Sequence, residues 1–324
     1  MLRYAVDRIL WTIPVVLVAI TLTFFLVRAT GGDPFRHGPL LGLTATGQWQ
    51  KYGDFQPKSI RDNIRRRYGL DLPWYEQYAN YVAGVATFNL GPSFSYRNQS
   101  VDDIIVQRGR VTLELALLAL GLALAVGIPL GALSAFHDRS AFAHVERVGS
   151  SIALAMPAFL VGTLLIYLLA VRTHLLPTSG WDGARAKILP VVTLALVPLG
   201  WCARLTRGSV LETLGADYVR TARAKGLRRD RIRISHVLRN SLVPVLSAAG
   251  PLLGALMTTL FVVEVVFGIP GLARHYVSAT NARDYPLLMG MTVVMTMFII
   301  VANLLVDLAL AALDPRIREP GAVR

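Results

Sequence analysis

The residues of this chain that could do chemistry are sparse, and their spacing excludes more than it assigns. Its six histidines, His37, His137, His144, His174, His236 and His275, are scattered, with no two at the three- or four-residue spacing that sets metal ligands on one helix face. The single cysteine, Cys202, can form neither an internal disulfide nor a cysteine-rich metal site. There is no G-x-x-x-x-G-K-S/T phosphate cradle, no H-E-x-x-H and no G-x-S-x-G, so an ATP-hydrolysing, zinc-peptidase or serine-hydrolase site is not expected in this chain. The carboxylates Glu114, Glu264 and Asp307 fall near the ends of apolar blocks, whereas a proton relay through a membrane often sets acids mid-span. What remains is a concentration of charge at Asp217 to Pro244, DYVRTARAKGLRRDRIRISHVLRNSLVP. Between Arg220 and Arg233 it holds seven Arg/Lys residues and one acid, Asp230. Residues of this kind recognise rather than catalyse: guanidinium groups suit acidic side chains of a partner or anionic lipid headgroups.

The rest of the chain determines where that loop stands. The sequence has 324 residues, is 54% hydrophobic with mean hydropathy +0.50, and carries a net charge of +13. In a soluble protein such a charge would point to nucleic acid. Here the apolar residues are gathered into uncharged blocks at Ile9–Val27, Leu115–Phe136, Val148–Val171, Ile188–Ala203, Asn240–Val263 and Tyr285–Val306. About 20 apolar residues cross a hydrocarbon core as a helix, so the expected fold is an all-α membrane protein with six transmembrane helices. The fourth block has 16 residues and must begin near Pro190 or take in Arg204, whose long side chain can reach the interface. The first block, 19 residues without a small-x-small cleavage site cleanly after it, is read as a retained span rather than a signal peptide.

Charge sets the orientation. With the N-terminus inside, the inner segments carry 17 basic residues and the two short outer loops carry five, Arg172, Arg185, Lys187, Arg274 and Arg283. The positive-inside rule then favours both termini and the basic loop in the cytoplasm. The domains expected are an N-terminal span in 1–30, an extracytoplasmic domain in 31–110, a five-helix core in 111–313 whose cytoplasmic loop spans 211–239, and a tail in 314–324. Amphipathic helices are expected near Lys58–Tyr68 and Trp74–Val85. The aromatics Trp49, Tyr52, Phe55, Trp74, Tyr75, Tyr78 and Tyr81 argue for order in the outer segment, or for an interface belt. Prolines and glycines inside the spans, among them Pro157, Gly127, Gly131 and Gly200, mark either kinks or close helix packing.

Within the loop, Val210, Leu214, Tyr218, Thr221, Ala222 and Lys225 recur at helical spacing, and Gly226 is a C-terminal stop. A second helix is expected over Arg229–Leu238. Two readings stand at this level: a solvated positive-inside loop, or a slim protrusion whose Ala222 and Ala224 let it enter a partner's groove.

DYVRTARAKGL followed by HVLRNSLVP resembles the cytoplasmic EAA loop of permease subunits in binding-protein-dependent ABC importers, in the form common in the dipeptide/oligopeptide branch. Arg220-Thr221-Ala222 stands at the Glu-Ala-Ala place and Gly226 at the family's glycine. Further segments resemble the same branch: Gly31–Pro34, Tyr68–Tyr78, Gly91-Pro92-Ser93-Phe94, Glu264–Leu272, Asp284-Tyr285-Pro286 and Leu313-Asp314-Pro315-Arg316. Departures are Arg220 at the acidic place, the longer gap from Gly226 to Pro244, Ala273 for a glycine and Asn89 for an acid. The resemblance implies the type I ABC importer permease architecture and a non-enzymatic transport subunit of the bacterial inner membrane. It implies a homologous second permease, ATPase subunits that hold ATP and Mg, and an extracytoplasmic solute-binding protein. The ATPase-coupling residues it implies are Asp217, Tyr218, Arg220, Thr221, Ala222, Arg223, Ala224, Lys225 and Gly226. Ala222 and Gly226 would act by shape, and Arg220, Arg223 and Lys225 by charge. Glu264 either orders the Gly-Ile-Pro-Gly turn or faces the pathway or the docked binding protein, Arg283 and Asp284 are candidates for docking that protein, and Asp307 is expected to pair with an interface arginine. Short peptides are the cargo implied. Nickel chelates, glutathione and oligosaccharides enter through relatives of the same branch, and a secondary transporter working without ATP is the reading from another class.

Overall fold

The computed structural model describes residues 2–29, 40–43, 49–51, 66, 69, 71–96 and 99–313. The expected helix near Lys58–Tyr68, the Gly31–Pro34 segment, Tyr52, Phe55, the Asp314-Pro315-Arg316 end, the 314–324 tail and the side chains of Trp49 and Asp307 lie outside the described residues. Helix α1 is Leu2–Ala29, followed by two short antiparallel strands, β1 (Leu40–Leu43) and β2 (Trp49–Lys51). Then come α2 (Trp74–Thr87), α3 (Val101–Phe136), α4 (Ala141–Ala155) and α5 (Ala158–Leu165, continued by a π-helical turn Ile166–Arg172). They are followed by α6 (Ala184–Gly215) and α7 (Asp217–Ala224). Helix α8 is one run of Arg229–Arg231, a π-helical Ile232–Leu238, and Arg239–Ser247. The chain ends in α9 (Ala249–Val266), α10 (Leu272–Ala282) and α11 (Tyr285–Leu313).

Five of the described helices are long and apolar enough to cross a membrane: Leu10–Ala29, Val101–Phe136, Ala184–Gly215, Ala249–Val266 and Tyr285–Val306. A sixth span requires α4 and α5 together, and these are bent by 107°. The expected third span, Val148–Val171, is therefore not one straight helix. Pro157 offers no N–H, and the residue before it is forced out of the helical region; Met156 sits at φ −83°, ψ 128°. The fourth block, the shortest by sequence, lies within the 32-residue α6. Pro190 and Pro198 are accommodated inside that helix, and Arg204 donates to Ser151 Oγ at 3.0 Å. The expected fifth span, Asn240–Val263, is divided at Ala248. Its first part belongs to α8, and Pro251 falls in the first turn of α9, where its missing N–H has no intrahelical partner to lose.

The chain forms two compact units. One comprises 1–9, 112–270 and 299–324; the other comprises 10–111 and 271–298. In the first, α6 is the element on which α3, α4, α5, α8 and α9 converge, and small residues bring backbones together there. A Cβ on Gly127 would meet the Leu199 carbonyl oxygen at 2.8 Å and Cys202 Cβ at 2.9 Å, and one on Gly131 would collide with the backbone of Ala203. A Cβ on Gly200 would come within 3.0 Å of the Ser150 carbonyl oxygen on α4. In the second unit, Val101, Ile104 and Ile105 of α3 are buried with Leu272, Ala279, Leu287 and Met291. There α2 packs on α1 through Tyr78 and Tyr81 against Phe24, with Tyr78 Oη 2.7 Å from Thr21 Oγ1. The segment 31–110 thus shares a unit with the first span and 271–298.

Gly131→Val is expected to destabilise the chain by about 3 kcal/mol, because the added carbons must displace backbone rather than a side chain. Gly121→Val, on the same helix with nothing within 4 Å of its Cβ position, should leave the midpoint nearly unchanged. Thermal unfolding in detergent distinguishes the two.

Candidate functional site

The basic loop is built outward from the end of α6. Helix formation does not run unbroken from Val210 to Lys225 as the spacing predicts. It stops at Gly215, and Ala216 is extended at φ −69°, ψ 147°. The chain restarts at Asp217, whose acid stands in the first turn of α7, where the helix dipole favours it. The break turns α7 so that Val219 and Ala222 face inward. They form a buried cluster with Ala132 and Ala135 of α3, Val210 of α6, and Ile232 and Val237 of α8. Ala222 is 7% exposed and Val219 is fully buried. The slim profile expected of Ala222 therefore serves the loop's own foundation. The face left to solvent carries Asp217, Tyr218, Arg220, Thr221, Arg223, Ala224, Lys225 and Gly226.

Gly226 ends α7 as the sequence predicts. It takes φ +74°, donates its N–H to the Arg223 carbonyl at 3.0 Å, and lets the Leu227 N–H reach the Ala222 carbonyl at 3.3 Å. Leu227 then packs against the Val219–Ala222 cluster. Asn240 Nδ2 donates to Tyr218 Oη at 2.9 Å, tying α7 to α8. Arg220, at the place where the resembled family carries an acid, lies 3.5 Å from Asp217 across one exposed turn, a contact that contributes little to stability. At the root of the loop Arg207 pairs with Asp138, an ion pair joining α6 to the end of α3 that sequence spacing did not reveal.

Two of the carboxylates named from sequence, Asp284 and Glu264, are buried. Asp284 is fully buried: its Oδ2 accepts from Ser93 Oγ at 2.5 Å and from the Ser95 N–H at 2.9 Å, and its Oδ1 accepts from the Leu287 N–H at 3.2 Å. It caps α11 and fastens the Gly91–Phe94 segment, so two separately noted motifs make one clamp. The Asp284 side chain, a candidate from sequence for docking the binding protein, is thus engaged within the chain itself. Arg283, half-buried at φ +55°, is the left-handed stop of α10. Glu264 is fully buried, and its Oε1 accepts from Thr112 Oγ1 at 2.6 Å. Its carbonyl accepts from the Ile269 N–H at 2.9 Å across the left-handed Gly268, consistent with ordering the Gly-Ile-Pro-Gly turn. Glu114, near the other end of the block it opens, accepts from Lys187 and from Trp181 Nε1, with Lys187 Nζ 5.0 Å from the Trp181 ring centroid. His275 lies 5.2 Å from the Tyr96 ring, and its Nδ1 is 3.3 Å from the Gly271 carbonyl oxygen. Burial, with the charges of Arg108 and Arg274, holds its imidazole pKa below the ordinary value. No group of three or more His, Cys, Asp or Glu residues that could hold a metal occurs among the described residues.

Comparison with known proteins agrees with this architecture. A family model described as "Binding-protein-dependent transport system inner membrane component" matches residues 127–319. The chain is 34% identical to the oligopeptide transport system permease protein OppB of Haemophilus influenzae, over 98% of this chain and 100% of that protein. It is 35% identical to the dipeptide transport system permease protein DppB of Bacillus subtilis, over 98% of each. Among solved structures, a chain of the MetNI methionine ABC transporter in an inward-facing conformation aligns with TM-score 0.54 at 16% identity, covering 65% of this chain and 96% of that one. That likeness gives the fold, the type I importer permease architecture.

Two substitutions separate the loop's foundation from its surface. Ala222→Asp sets a carboxylate in the apolar cluster and is expected to cost about 3 kcal/mol or more. Limited proteolysis should then cut the loop at its arginines. Ala224→Asp, on the exposed face, should change stability by about 0.5 kcal/mol or less. At the clamp, Asp284→Ala leaves three donors without their acceptor at a cost of about 2 kcal/mol. Amide exchange at Ser95 and Leu287 should accelerate about thirtyfold, while exchange in α6 stays unchanged.

Proposed function

The chain belongs to the family of binding-protein-dependent transport system inner membrane components, and on that premise we propose that it is a pore-forming permease subunit of an ATP-driven importer of di- and oligopeptides. The observation that carries this reading is near-full-length similarity to oligopeptide and dipeptide permeases, in a chain with no phosphate cradle of its own. A second, homologous permease would complete the pathway in the bacterial inner membrane, with N- and C-termini on the cytoplasmic side. ATP and Mg would be held by separate ATPase subunits, and a solute-binding protein outside would choose the cargo.

In this reading the exposed face of α7, with Arg220, Thr221, Ala224 and Lys225, rests in a cleft of an ATPase subunit. Val219 and Ala222 join α7 to α6, α3 and α8 through a packed apolar cluster. Such a cluster transmits displacement instead of absorbing it, because close-packed interiors deform little. Closure of the ATPases would push α7, and α7 would carry the end of α6 with it. That is a rigid-body route from nucleotide to pathway.

A tagged full-length chain, expressed with its genomic neighbours and extracted in mild detergent, should co-purify with a second permease and P-loop ATPases. Vesicles holding that complex and a peptide-loaded binding protein should take up peptide only with ATP. Ala224→Asp should leave assembly of the membrane subunits intact and lower ATP-dependent uptake about tenfold or more, the effect of losing roughly 1.4 kcal/mol at the contact. Peptide uptake by the purified chain alone, without ATP, would overturn the proposal.

A further inference from the structure

Beside the face of α7 assigned to a partner lies a pocket that shares only Arg223 with the coupling residues. It has a volume of about 530 Å³ and stands where helices α3 and α6 end. Its floor is Phe136, the last residue of α3, with Leu214 in the last turn of α6, Leu227 and Ile232. Its charged lining is Arg223 from α7 and Arg229 and Arg233 from α8, and no acid lines it. Arg229 and Arg233 stand one turn apart, and the Arg233 guanidinium is held 5.0 Å from the centroid of the Phe136 ring. Among the described residues none of these three arginines takes part in an ion pair.

Three like charges around one cavity repel each other, and an anion shared between them removes that cost. Guanidinium forks match the oxygens of a phosphate in geometry as well as charge. The floor adds a second requirement. Four apolar side chains would leave a free, fully hydrated ion poorly served, whereas they suit a ligand that carries hydrocarbon next to its phosphate. The position adds a third. Phe136 and Leu214 lie in the last turns of two helices that are long and apolar enough to cross a membrane, and basic clusters beside spans attract anionic lipids. The cavity is within the usual size range of a small-ligand site.

We propose that this pocket binds the phosphate headgroup of an anionic phospholipid, with the first carbons of its acyl chains on Phe136, Leu214, Leu227 and Ile232. Bound there, the lipid links Arg223 on the coupling helix to Arg229 and Arg233 on α8. The stiffness of the coupling element then depends on the lipid composition of the leaflet it faces. This inference rests on the chain being a membrane protein and not on its cargo or its ATPase partners.

The full chain in detergent, mixed with equal amounts of phosphatidylglycerol and phosphatidylcholine, is examined by native mass spectrometry. The expected result is preferential retention of phosphatidylglycerol. Arg229→Gln with Arg233→Gln should weaken that retention roughly 20- to 30-fold, the loss of two basic contacts at a membrane surface. Arg228→Gln with Arg231→Gln removes the same charge from exposed positions outside the pocket and should leave retention close to that of the parent chain. Equal losses in both pairs would mean diffuse charge attraction and overturn the site. Unchanged retention in the Arg229/Arg233 pair would overturn it as well. Displacement of the lipid by inorganic phosphate or ATP would assign the pocket to a soluble phosphate compound instead. Should the Arg229/Arg233 pair fail to fold, a photoreactive phosphatidylglycerol on the parent chain decides the matter: label on peptides from 223–233 supports the site, and label only on the exposed faces of the spans removes it.

Discussion

The closeness with which α3 and α4 approach α6 is the constraint on which the first unit depends. In lipid there is no hydrophobic gain from bringing two apolar helices together, because the hydrocarbon outside is as apolar as the helix surface. Association rests on dispersion contacts and on polar groups between helices. Both need short distances. Gly127 and Gly131 let α3 lie against the backbone of Leu199 and Ala203 and the Cβ of Cys202, and Gly200 lets α4 lie against α6 at Ser150 and Ala153. Arg204 to Ser151 and Arg207 to Asp138 then fasten the same helices where the spans end. With α6 gripped on two sides, its last turns are a fixed base. Val210 is buried there, and Val219 and Ala222 of the loop pack onto it. The loop's rigidity is thus inherited from glycines more than a turn away along the helices.

Four helices end by the same device, one residue in the left-handed region with two backbone bonds folded back across it. Gly226 ends α7 and Gly268 ends α9, at positions where glycine adopts φ > 0 without strain. Phe88 ends α2 and Arg283 ends α10 with φ near +55°, which costs a side-chain-bearing residue about 1–2 kcal/mol. Each of these strained stops has a carboxylate that takes a backbone N–H within four residues after it. Asp102 takes the Leu90 N–H at 2.8 Å, and Asp284 takes those of Ser95 and Leu287. These bonds offset the strain and fix where the next segment starts. The arrangement accounts for an acid directly after Arg283, two residues that the sequence offered as candidates for docking a partner.

Much of the membrane plan was legible because it is written in runs of one residue class. The spans, the basic loop and its Gly226 stop follow from block length, charge and one conformational preference. What was not legible depends on contacts between segments distant in the chain. A charge-free run of 24 residues at Val148–Val171 looked like the safer span, yet Pro157 breaks it. The 16-residue block at Ile188–Ala203 looked weaker, yet it lies inside the 32-residue α6, whose Arg204 and Arg207 find partners on neighbouring elements. Ala222 gave no sign of its direction: periodicity over Val210–Lys225 assumed one helix, and the extended Ala216 changes the phase. Thr112 as the partner of Glu264, and Ser93 as that of Asp284, lie 152 and 191 residues away in sequence and carry no local signal.

The distribution of acids gives the loop's positive charge its meaning. Along the described part of the first unit, two acids fasten helices through basic residues: Glu114 holds Lys187, and Asp138 holds Arg207. Asp217 lies across from Arg220 on an exposed turn. Arg223, Arg229 and Arg233 are left without such partners among the described residues, while the backbone that presents them is anchored by Val219, Ala222, Ile232 and Val237. Exposed arginines on a mobile loop would lose side-chain and backbone entropy when they met a ligand. Here the backbone share of that cost is met in folding, so a partner anion encounters an array already ordered at its base. A net charge of +13 is therefore more than a topology signal: part of it is held in a fixed geometry, one face turned outward from α7 and another turned into the pocket between α7 and α8.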